Sequence, residues 1–157
     1  MVDEETFREA MGAVCTPVAV VTAMDGERPH GTTVSAFCSL SMRPPLVLVS
    51  LDRGSDLLAL VRRSGRFGVN VLEQDQRELA RGFARKGTDK FTAVHWRAAA
   101  GLPRLDGAGL WLACAVDELL EGGDHVIVTG IVHVAEHDAR EPLLYQRRDF
   151  RSLATMS

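Results

Sequence analysis

The strongest constraint on the fold is a hairpin signal near the start of the chain. Residues 17–23, PVAVVTA, are rich in β-branched side chains and lead into Asp25-Gly26, a dipeptide favoured in tight hairpin turns. Residues 31–35, GTTVS, can form the returning strand. Strands joined by so short a connection pair antiparallel, because parallel strands need a crossover of about a dozen residues or more.

Four later segments also have the apolar, β-branched composition of buried strands, and the last two are joined by a turn. A doubly wound parallel sheet would place helices between nearly all its strands, so this order favours an antiparallel arrangement. We predict a mostly β fold, an antiparallel barrel with peripheral helices, in one domain over residues 1–157. The four segments are residues 46–51, 67–72, 110–116 and 125–134.

Three short helices have recognisable starts, each with a side chain that can cap the first free N–H groups. The first covers residues 3–12, and we expect it to lie against a sheet edge. The second covers residues 56–64, and the third begins shortly after residue 75. The predicted N-caps are, in order, Asp3, Ser55 and Asp75.

The overall charge and the apolar pattern exclude several classes of protein. A formal net charge of −3 argues against a nucleic-acid surface, which needs clustered basic residues to neutralise phosphates. The N-terminus carries acids where a secretory signal carries basic residues, and no apolar run approaches the roughly 20 residues that span a bilayer. We therefore expect a cytoplasmic protein that binds neither nucleic acid nor a membrane.

Several catalytic and metal-binding patterns are missing. The three cysteines, Cys15, Cys38 and Cys114, include no Cys-x-x-Cys pair, and we expect them to be small buried apolar residues. The five histidines show no His-Glu-x-x-His grouping, so we expect no metal site. The chain also has no Gly-x-Gly-x-x-Gly after a strand, no phosphate loop and no nucleophile elbow, which excludes Rossmann binding and the acyl and phosphoryl transfers that use those motifs.

The densest polar cluster carries five hydroxyl side chains within ten positions, from Thr32 to Ser41. Such a stretch can present several hydrogen-bonding groups to a polar heterocycle or a ribityl chain. On spacing alone, a hydroxyl-lined strand and turn with no ligand is the simpler interpretation.

The same stretch carries a family resemblance. Residues 31–47 read Gly-x-Thr-x-Ser-Ala-Phe-x-Ser-Leu-Ser-x-x-Pro-Pro-Leu-Val, which resembles the signature of the flavin reductase-like family. That family includes the reductase components of two-component flavin-dependent monooxygenases. Further segments agree in order along nearly the whole chain; they begin at Phe7, Val20, Phe67, Phe83, Lys90, Asp124 and Pro142.

The resemblance implies a split β-barrel that binds FMN or FAD, usually as a homodimer. It places the isoalloxazine and ribityl groups against the backbone and hydroxyls of Thr33, Val34, Ser35 and Ala36, flanked by Ser50, Leu51 and Asp52. Two places can hold the flavin phosphate. One is the helix start at Ser55, although a plain N-cap fits that residue equally well. The other is the segment with Phe83, Ala84, Arg85 and Lys86, whose cations could also simply complement a helix C-terminus.

Two more residues are assigned by the resemblance. His125 follows a predicted turn and is expected to position the nicotinamide over the flavin, without a role as an acid or base. From the residues alone, a structural histidine is the more common finding at such a place. Tyr145 is expected to close over the same pocket, although core packing also explains an aromatic residue there.

The implied activity is that of an oxidoreductase. NADH, or less commonly NADPH, passes a hydride to flavin N5, and the reduced flavin diffuses to a separate monooxygenase; flavin and nicotinamide carry the chemistry, and the protein supplies binding and orientation. Two alternatives stay open: a flavin-binding or carrier protein without catalysis, and an oxidoreductase that retains its flavin and acts on another small molecule. A structural protein without a ligand would leave the series of motifs unexplained.

Overall fold

The structure is a computed structural model, and it describes residues 1–87 and 89–153. Strands dominate it, with three short helices placed around them. The elements in chain order are α1 (Glu4–Gly12), β1 (Thr16–Pro17), β2 (Ala19–Asp25), β3 (Arg28–Val34), β4 (Phe37–Met42), β5 (Pro45–Asp52), α2 (Asp56–Ser64), β6 (Arg66–Val71), α3 (Arg77–Ala84), β7 (Trp96–Ala99), β8 (Leu102–Leu105), β9 (Leu110–Gly122), β10 (His125–His137), β11 (Leu144–Gln146) and β12 (Asp149–Arg151).

A seven-stranded antiparallel sheet in the order β3-β2-β6-β9-β10-β5-β4 forms the body of the fold. Strands β3 and β4 lie at its opposite edges, yet only Ser35 and Ala36 separate them in the chain. Three peptide units reach at most about 11 Å, so the sheet must roll until its two edges approach. This confirms the predicted antiparallel barrel with peripheral helices, split along one line.

We call that line the seam: the gap between β3 and β4, crossed by Ser35 and Ala36. Within residues 1–87 and 89–153, no ladder pairs β3 with β4. An edge strand turns alternate N–H and C=O groups away from its single neighbour. The seam is therefore a stretch of barrel wall with backbone groups available for a ligand.

The predicted hairpin is confirmed. Strands β2 and β3 pair from Ala19 opposite Val34 to Asp25 opposite Arg28, and Gly26 in the turn has φ +60°. Five consecutive residues of β2 are buried, because one face of the strand packs into the barrel and the other is covered by neighbouring elements.

Helix α2 packs its apolar side chains against the strands of the barrel. Leu57, Leu58, Leu60 and Val61 are buried in the same cluster as Val49, Phe67, Val69 and Val128 from the strands. The predicted cap is confirmed, because the Ser55 hydroxyl accepts a hydrogen bond from the Leu58 N–H at 3.4 Å. The helix ends at Gly65, whose φ of +67° places it in the left-handed region.

Two predictions about the other helices are wrong. No residue of α1 is buried, and Phe7 and Met11 remain 57% and 50% exposed, so this helix does not pack on a sheet edge. Helix α3 starts after Gln76 and not after Asp75. The Gln76 side chain makes no cap; its Oε1 accepts from the Glu73 N–H and its Nε2 donates to the Asp106 carbonyl, which ties the helix start to a distant loop.

The cysteine prediction holds for one residue of three. Cys114 is buried between the strands, and this burial raises the pKa of its thiol to about 12. Cys15 and Cys38 are exposed, because one lies in the connection after α1 and the other on the edge strand β4. Among the described residues, no helix combines the length and the apolar composition that crossing a membrane requires.

Candidate functional site

The seam brings most of the predicted flavin residues to one place. A cleft of about 240 Å³ opens there between the end of β3, the end of β5, the start of α2 and the first residue of β10. We call it the seam cleft. Its lining comprises Thr32, Thr33, Val34, Ser35, Ala36, Ser50, Leu51, Asp52, Ser55 and His125.

Backbone groups form the floor of this cleft. The Phe37 N–H donates to the Ser35 carbonyl, and the Ser50 N–H donates to the Ala36 carbonyl, both at 3.1 Å. The second bond extends the β4–β5 ladder up to the seam, which fixes residue 36 against β5. On the other side Val34 ends the β2–β3 ladder. The chain between these two anchors crosses the seam with its backbone held at both ends.

The Thr33 side chain has a different use from the one expected. Its hydroxyl donates to the Ala80 carbonyl of α3 at 2.7 Å, so its proton is committed to holding that helix against β3. Only its backbone and the acceptor capacity of the oxygen are left for a ligand. Ser35 carries no such side-chain bond among the described residues and is exposed.

The turn between β5 and α2 leads into a helix start that borders the cleft. Asp52 organises it: its carboxylate accepts from the Gly54 N–H at 2.7 Å, and its carbonyl accepts from the Ser55 N–H at 3.0 Å. The first turn of an α-helix carries unpaired N–H groups and the positive end of the helix dipole. An anionic group is stabilised in that position.

A second cleft adjoins the first and shares Thr32, Asp52 and Ser55 with it. We call it the cation cleft. It lies between the start of α2 and the end of α3, where Arg85 and Lys86 follow the helix. Within the residues that the structure describes, neither cation has a carboxylate within 4.0 Å. Their charges are therefore available to an anion, although Asp52 and Asp56 also line the cleft.

Lys90 has a structural role in this region. Its ammonium donates to the Gly31 carbonyl at 3.1 Å and to the Phe83 carbonyl at 2.9 Å, which joins β3 to the end of α3. Burial lowers the pKa of Lys90. Phe83 itself is fully buried, with its ring 4.8 Å from that of Phe91. Phe83 does not line the cation cleft; it lines a neighbouring cleft of about 600 Å³, which Arg85 and Lys86 also border.

His125 opens β10 and pairs with Asp52 across the ladder. Its Nδ1 lies 2.8 Å from Oδ1 of Asp124, and its side chain is 44% exposed. The hydrogen bond and the charge of His125 lower the pKa of the Asp124 carboxyl. A proton held on Nδ1 by this carboxylate leaves Nε2 of the neutral ring as an acceptor.

Tyr145 does not line the seam cleft. It lines a third cleft, on the other side of the end of β3. This C-terminal cleft, of about 390 Å³, is bounded by α3 and the hairpin β11–β12 and shares Thr33, Val34 and Ser35 with the seam cleft. Ala84 lines both the C-terminal cleft and the cation cleft. The three clefts therefore surround the end of β3.

Several residues in these clefts were missed by sequence reasoning. His30 lines the cation cleft, and its Nε2 is buried without a hydrogen-bond partner in the described part of the chain. Its position just before the Gly31 motif was the available signal. Arg81 and Arg148 line the C-terminal cleft, and no local pattern distinguishes them from other surface arginines. In the same described residues, no group of three histidine, cysteine or acidic side chains is arranged to hold a metal ion.

The match to known proteins decides the family. The sequence model described as "Flavin reductase like domain" matches residues 11–154. The chain belongs to the flavin reductase-like family. This agrees with the resemblance of residues 31–47 and with the split barrel.

Three relatives illustrate the range of the family. A probable flavin reductase of Rhizobium meliloti is 39% identical over 92% of this chain, which spans only 47% of that protein's length. A flavin-dependent monooxygenase reductase subunit of Mycobacterium tuberculosis is 35% identical over 97% of this chain and 83% of its own. The solved NADH:FAD oxidoreductase of Streptomyces globisporus, in complex with NAD and FAD fragments, superposes with a TM-score of 0.92 at 37% identity, covering 99% of this chain and 97% of that one.

Proposed function

We propose that this chain is an NAD(P)H:flavin oxidoreductase that reduces FMN or FAD and supplies the reduced flavin to a partner monooxygenase. The observation that carries the proposal is the seam. There an open backbone edge meets a helix start whose position suits an anion and two cations, Arg85 and Lys86, that no described carboxylate pairs, in a chain of this family. We propose further that residues 1–157 act as one domain, and that the protein works in the cytoplasm with NADH as its main donor.

The flavin ring system is proposed to lie in the seam cleft. Its polar edge would pair with backbone groups of Thr33, Val34, Ser35 and Ala36, and Ser50, Leu51 and Asp52 would flank it. An isoalloxazine edge alternates donors and acceptors, as an edge strand does, so the two can match without charged side chains. This chemistry does not require the Thr33 hydroxyl proton, which α3 already uses.

The flavin phosphate is proposed to lie in the cation cleft. The N–H groups at the start of α2 would donate to it beside Ser55, and Arg85 and Lys86 would offset its charge. Ala84 would contact the ribityl chain from the end of α3, with Phe83 as packing support. Because only a few contacts are charged and the clefts are open to solvent, the flavin can leave after reduction, as a diffusing product must.

His125 is proposed as a positioning residue for the nicotinamide. When bound together, the nicotinamide and the flavin supply the hydride chemistry, from the nicotinamide ring to flavin N5. The protein needs only to hold the two rings in contact. The Asp124 carboxylate would fix the tautomer of His125, whose Nε2 could then accept from the nicotinamide carboxamide.

A homodimer is also proposed. Helix α1 exposes Phe7 and Met11 on one side, and the edge strand β4 exposes Leu40 and Met42. A second copy of the chain that covered these side chains would remove apolar surface from water. Light scattering coupled to gel filtration measures this directly, and a monomer at micromolar concentration would contradict it.

The experiment that tests the function is anaerobic NADH oxidation by gel-filtered protein, followed at the nicotinamide absorbance with FMN, FAD or no flavin. Turnover that requires added flavin is the expected result, and the better of the two flavins gives the preference. Turnover without added flavin, with flavin retained through gel filtration, would indicate an enzyme with a bound flavin. Flavin binding with no turnover from NADH or NADPH would indicate a carrier.

A further inference from the structure

The C-terminal cleft and the seam cleft are both lined by the end of β3. A ligand in the C-terminal cleft would therefore lie close to the proposed flavin site. Thr33, Val34 and Ser35 line both clefts. The proposed function uses the seam cleft and the cation cleft for flavin and leaves the C-terminal cleft without a role. Its volume of about 390 Å³ is within the range of small-molecule sites.

The cleft wall contains a hairpin turn whose residue types are unusual for its backbone conformation. The hairpin β11–β12 turns through Arg147 and Arg148, whose φ values of +52° and +60° place both in the left-handed region. Two-residue hairpin turns of this kind usually contain Asn-Gly, because other side chains are strained there. Strain of this sort points to a functional constraint when it holds a side chain at a site.

Arg148 is held at the cleft, and no ion pair with a described residue occupies its guanidinium. The turn is anchored to the end of α1, where the Arg147 N–H donates to the Gly12 carbonyl at 2.6 Å and the Gln146 amide donates to the Ala13 carbonyl at 2.8 Å. Among the described residues, no carboxylate lies within 4.0 Å of the Arg148 guanidinium. A rigidly presented, uncompensated guanidinium suits a phosphate.

The rest of the lining suits a planar ring. Tyr145 and Phe150 form an aromatic pair with ring centroids 5.4 Å apart, and the Arg81 guanidinium lies 5.6 Å from the Phe150 centroid. The charge of Arg81 is balanced by Glu78 at 2.6 Å. Asp149 also lines the cleft, with its carboxylate accepting from the Phe150 N–H. Arg148 thus supplies the one cation of this lining that no carboxylate balances at contact distance.

We propose that the C-terminal cleft binds the adenosine phosphate part of the nicotinamide dinucleotide, with Arg148 on a phosphate and the aromatic pair beside the purine. Purines stack on aromatic and guanidinium planes, and guanidinium groups pair with phosphates through two parallel bonds. The inference rests on the proposed function. FAD contains the same chemical group, so the test must distinguish these two sources.

The test compares NADH with reduced nicotinamide mononucleotide, which lacks the adenosine phosphate. In Arg148→Gln, the KM for NADH should rise about fivefold to tenfold, with kcat unchanged and the KM for the mononucleotide unchanged. Arg147→Gln is the matched control, because it removes the same charge from the same strained turn at a residue that does not line the cleft. Its NADH KM should stay within twofold of wild type.

A second variant separates binding from folding. Arg148→Gly relieves the left-handed strain, so the melting temperature should rise while the KM for NADH also rises. If Arg148 had only a structural role, relieving the strain would raise the melting temperature without raising the KM for NADH. Direct titration measures the Kd for NADH in wild type, Arg148→Gln and Arg148→Gly. Equal Kd values in these three proteins would overturn the proposal, even if turnover were absent.

Flavin titrations identify the source of the adenosine group. Arg148→Gln could instead weaken FAD binding and leave FMN and NADH binding unchanged. That result would overturn the assignment to the nicotinamide dinucleotide and place the adenosine phosphate of FAD in this cleft. Whichever of these binding results is obtained, oxidation of reduced nicotinamide mononucleotide that requires added flavin would support the reductase function. The failure of the inference and the failure of the proposed function are therefore distinguishable.

Discussion

The barrel interior and the clefts around β3 are built by different interactions. In the interior, strands are held by close contact of apolar side chains, so that Gly130 leaves room for the Phe67 ring against β10. Around the clefts, side chains bond mainly to backbone carbonyls, as Thr33 does to Ala80 and Lys90 does to Gly31. Stability should therefore depend mainly on the packed interior, and ligand affinity mainly on the exposed cations and His125 around the clefts.

The largest effect is expected in the interior. A Cβ on Gly130 would lie 2.5 Å from Phe67 Cζ and 3.0 Å from Cys114 Cβ, so Gly130→Ala overpacks the barrel and should lower the free energy of unfolding by about 3 kcal/mol. Urea denaturation measures this. At low temperature, where the variant is folded, its flavin Kd should match wild type; a large change would show that the two regions are coupled.

Gly122→Ala is the control for that substitution. Its added Cβ would meet nothing closer than the His125 carbonyl at 3.6 Å, which is ordinary contact. The unfolding free energy should therefore change by less than about 0.5 kcal/mol.

The next largest effect is expected on flavin affinity. Removing both free cations in Arg85→Ala, Lys86→Ala should raise the flavin Kd by about thirtyfold, since each charge-assisted contact contributes about 1 kcal/mol at this exposure. The melting temperature should hardly change, because neither side chain packs in the core. Fluorescence titration gives the Kd. The control is the double variant Arg28→Ala, Arg77→Ala, which removes two exposed cations elsewhere and should bind flavin as wild type does. An unchanged flavin Kd in Arg85→Ala, Lys86→Ala would show that these two residues are not part of the site.

A smaller effect is expected at His125. The substitution His125→Ala should raise the KM for NADH about fivefold and leave flavin affinity and stability nearly intact, because the ring is partly exposed. Steady-state kinetics with a direct flavin titration measures both. His137→Ala, at the exposed far end of the same strand, should change neither. Loss of flavin binding in the His125 variant would show that its role is misassigned.

The smallest effect is a pH dependence at Asp124. Its carboxyl has a lowered pKa in the folded chain because of His125. A lowered pKa gives stability that is fully present above the unfolded value of 3.8 and is lost as pH falls through the folded value. Asp124→Asn should therefore melt slightly below wild type near pH 6, and the two melting curves should converge as pH falls below 4. Curves that stay parallel over this range would contradict the hydrogen bond between Asp124 and His125.

Local chemistry explains which parts of the fold were predictable. The turn at Gly26 and the helix between Ser55 and Gly65 were predicted correctly because each is determined by a few neighbouring residues. The start of α3 was not, since Gln76 bonds to Asp106 far along the chain. The turn at Arg147 and Arg148 was also missed, because arginine does not indicate a left-handed conformation.

The site shows the same division. The spacing of hydroxyls at residues 32–41 could not by itself indicate a ligand, and the family resemblance supplied that expectation. It also selected Ser50, Asp52 and His125, which meet only because β5 and β10 pair. It could not show that the Thr33 hydroxyl is committed to α3, that Phe83 is buried, or that Tyr145 belongs to a separate cleft, because these depend on where α3 and the C-terminal hairpin pack.

The seam has a consequence for the motions of the barrel. Since no ladder joins β3 to β4, the two sheet edges can separate while every strand keeps its existing partner, so this opening should be the least costly one in the barrel. A flavin that is hydrogen-bonded to the seam backbone would oppose the separation of these two edges. By mass action, flavin at a hundredfold excess over its Kd would oppose such opening by about 2.7 kcal/mol. Amide hydrogen exchange near the seam should then slow about a hundredfold.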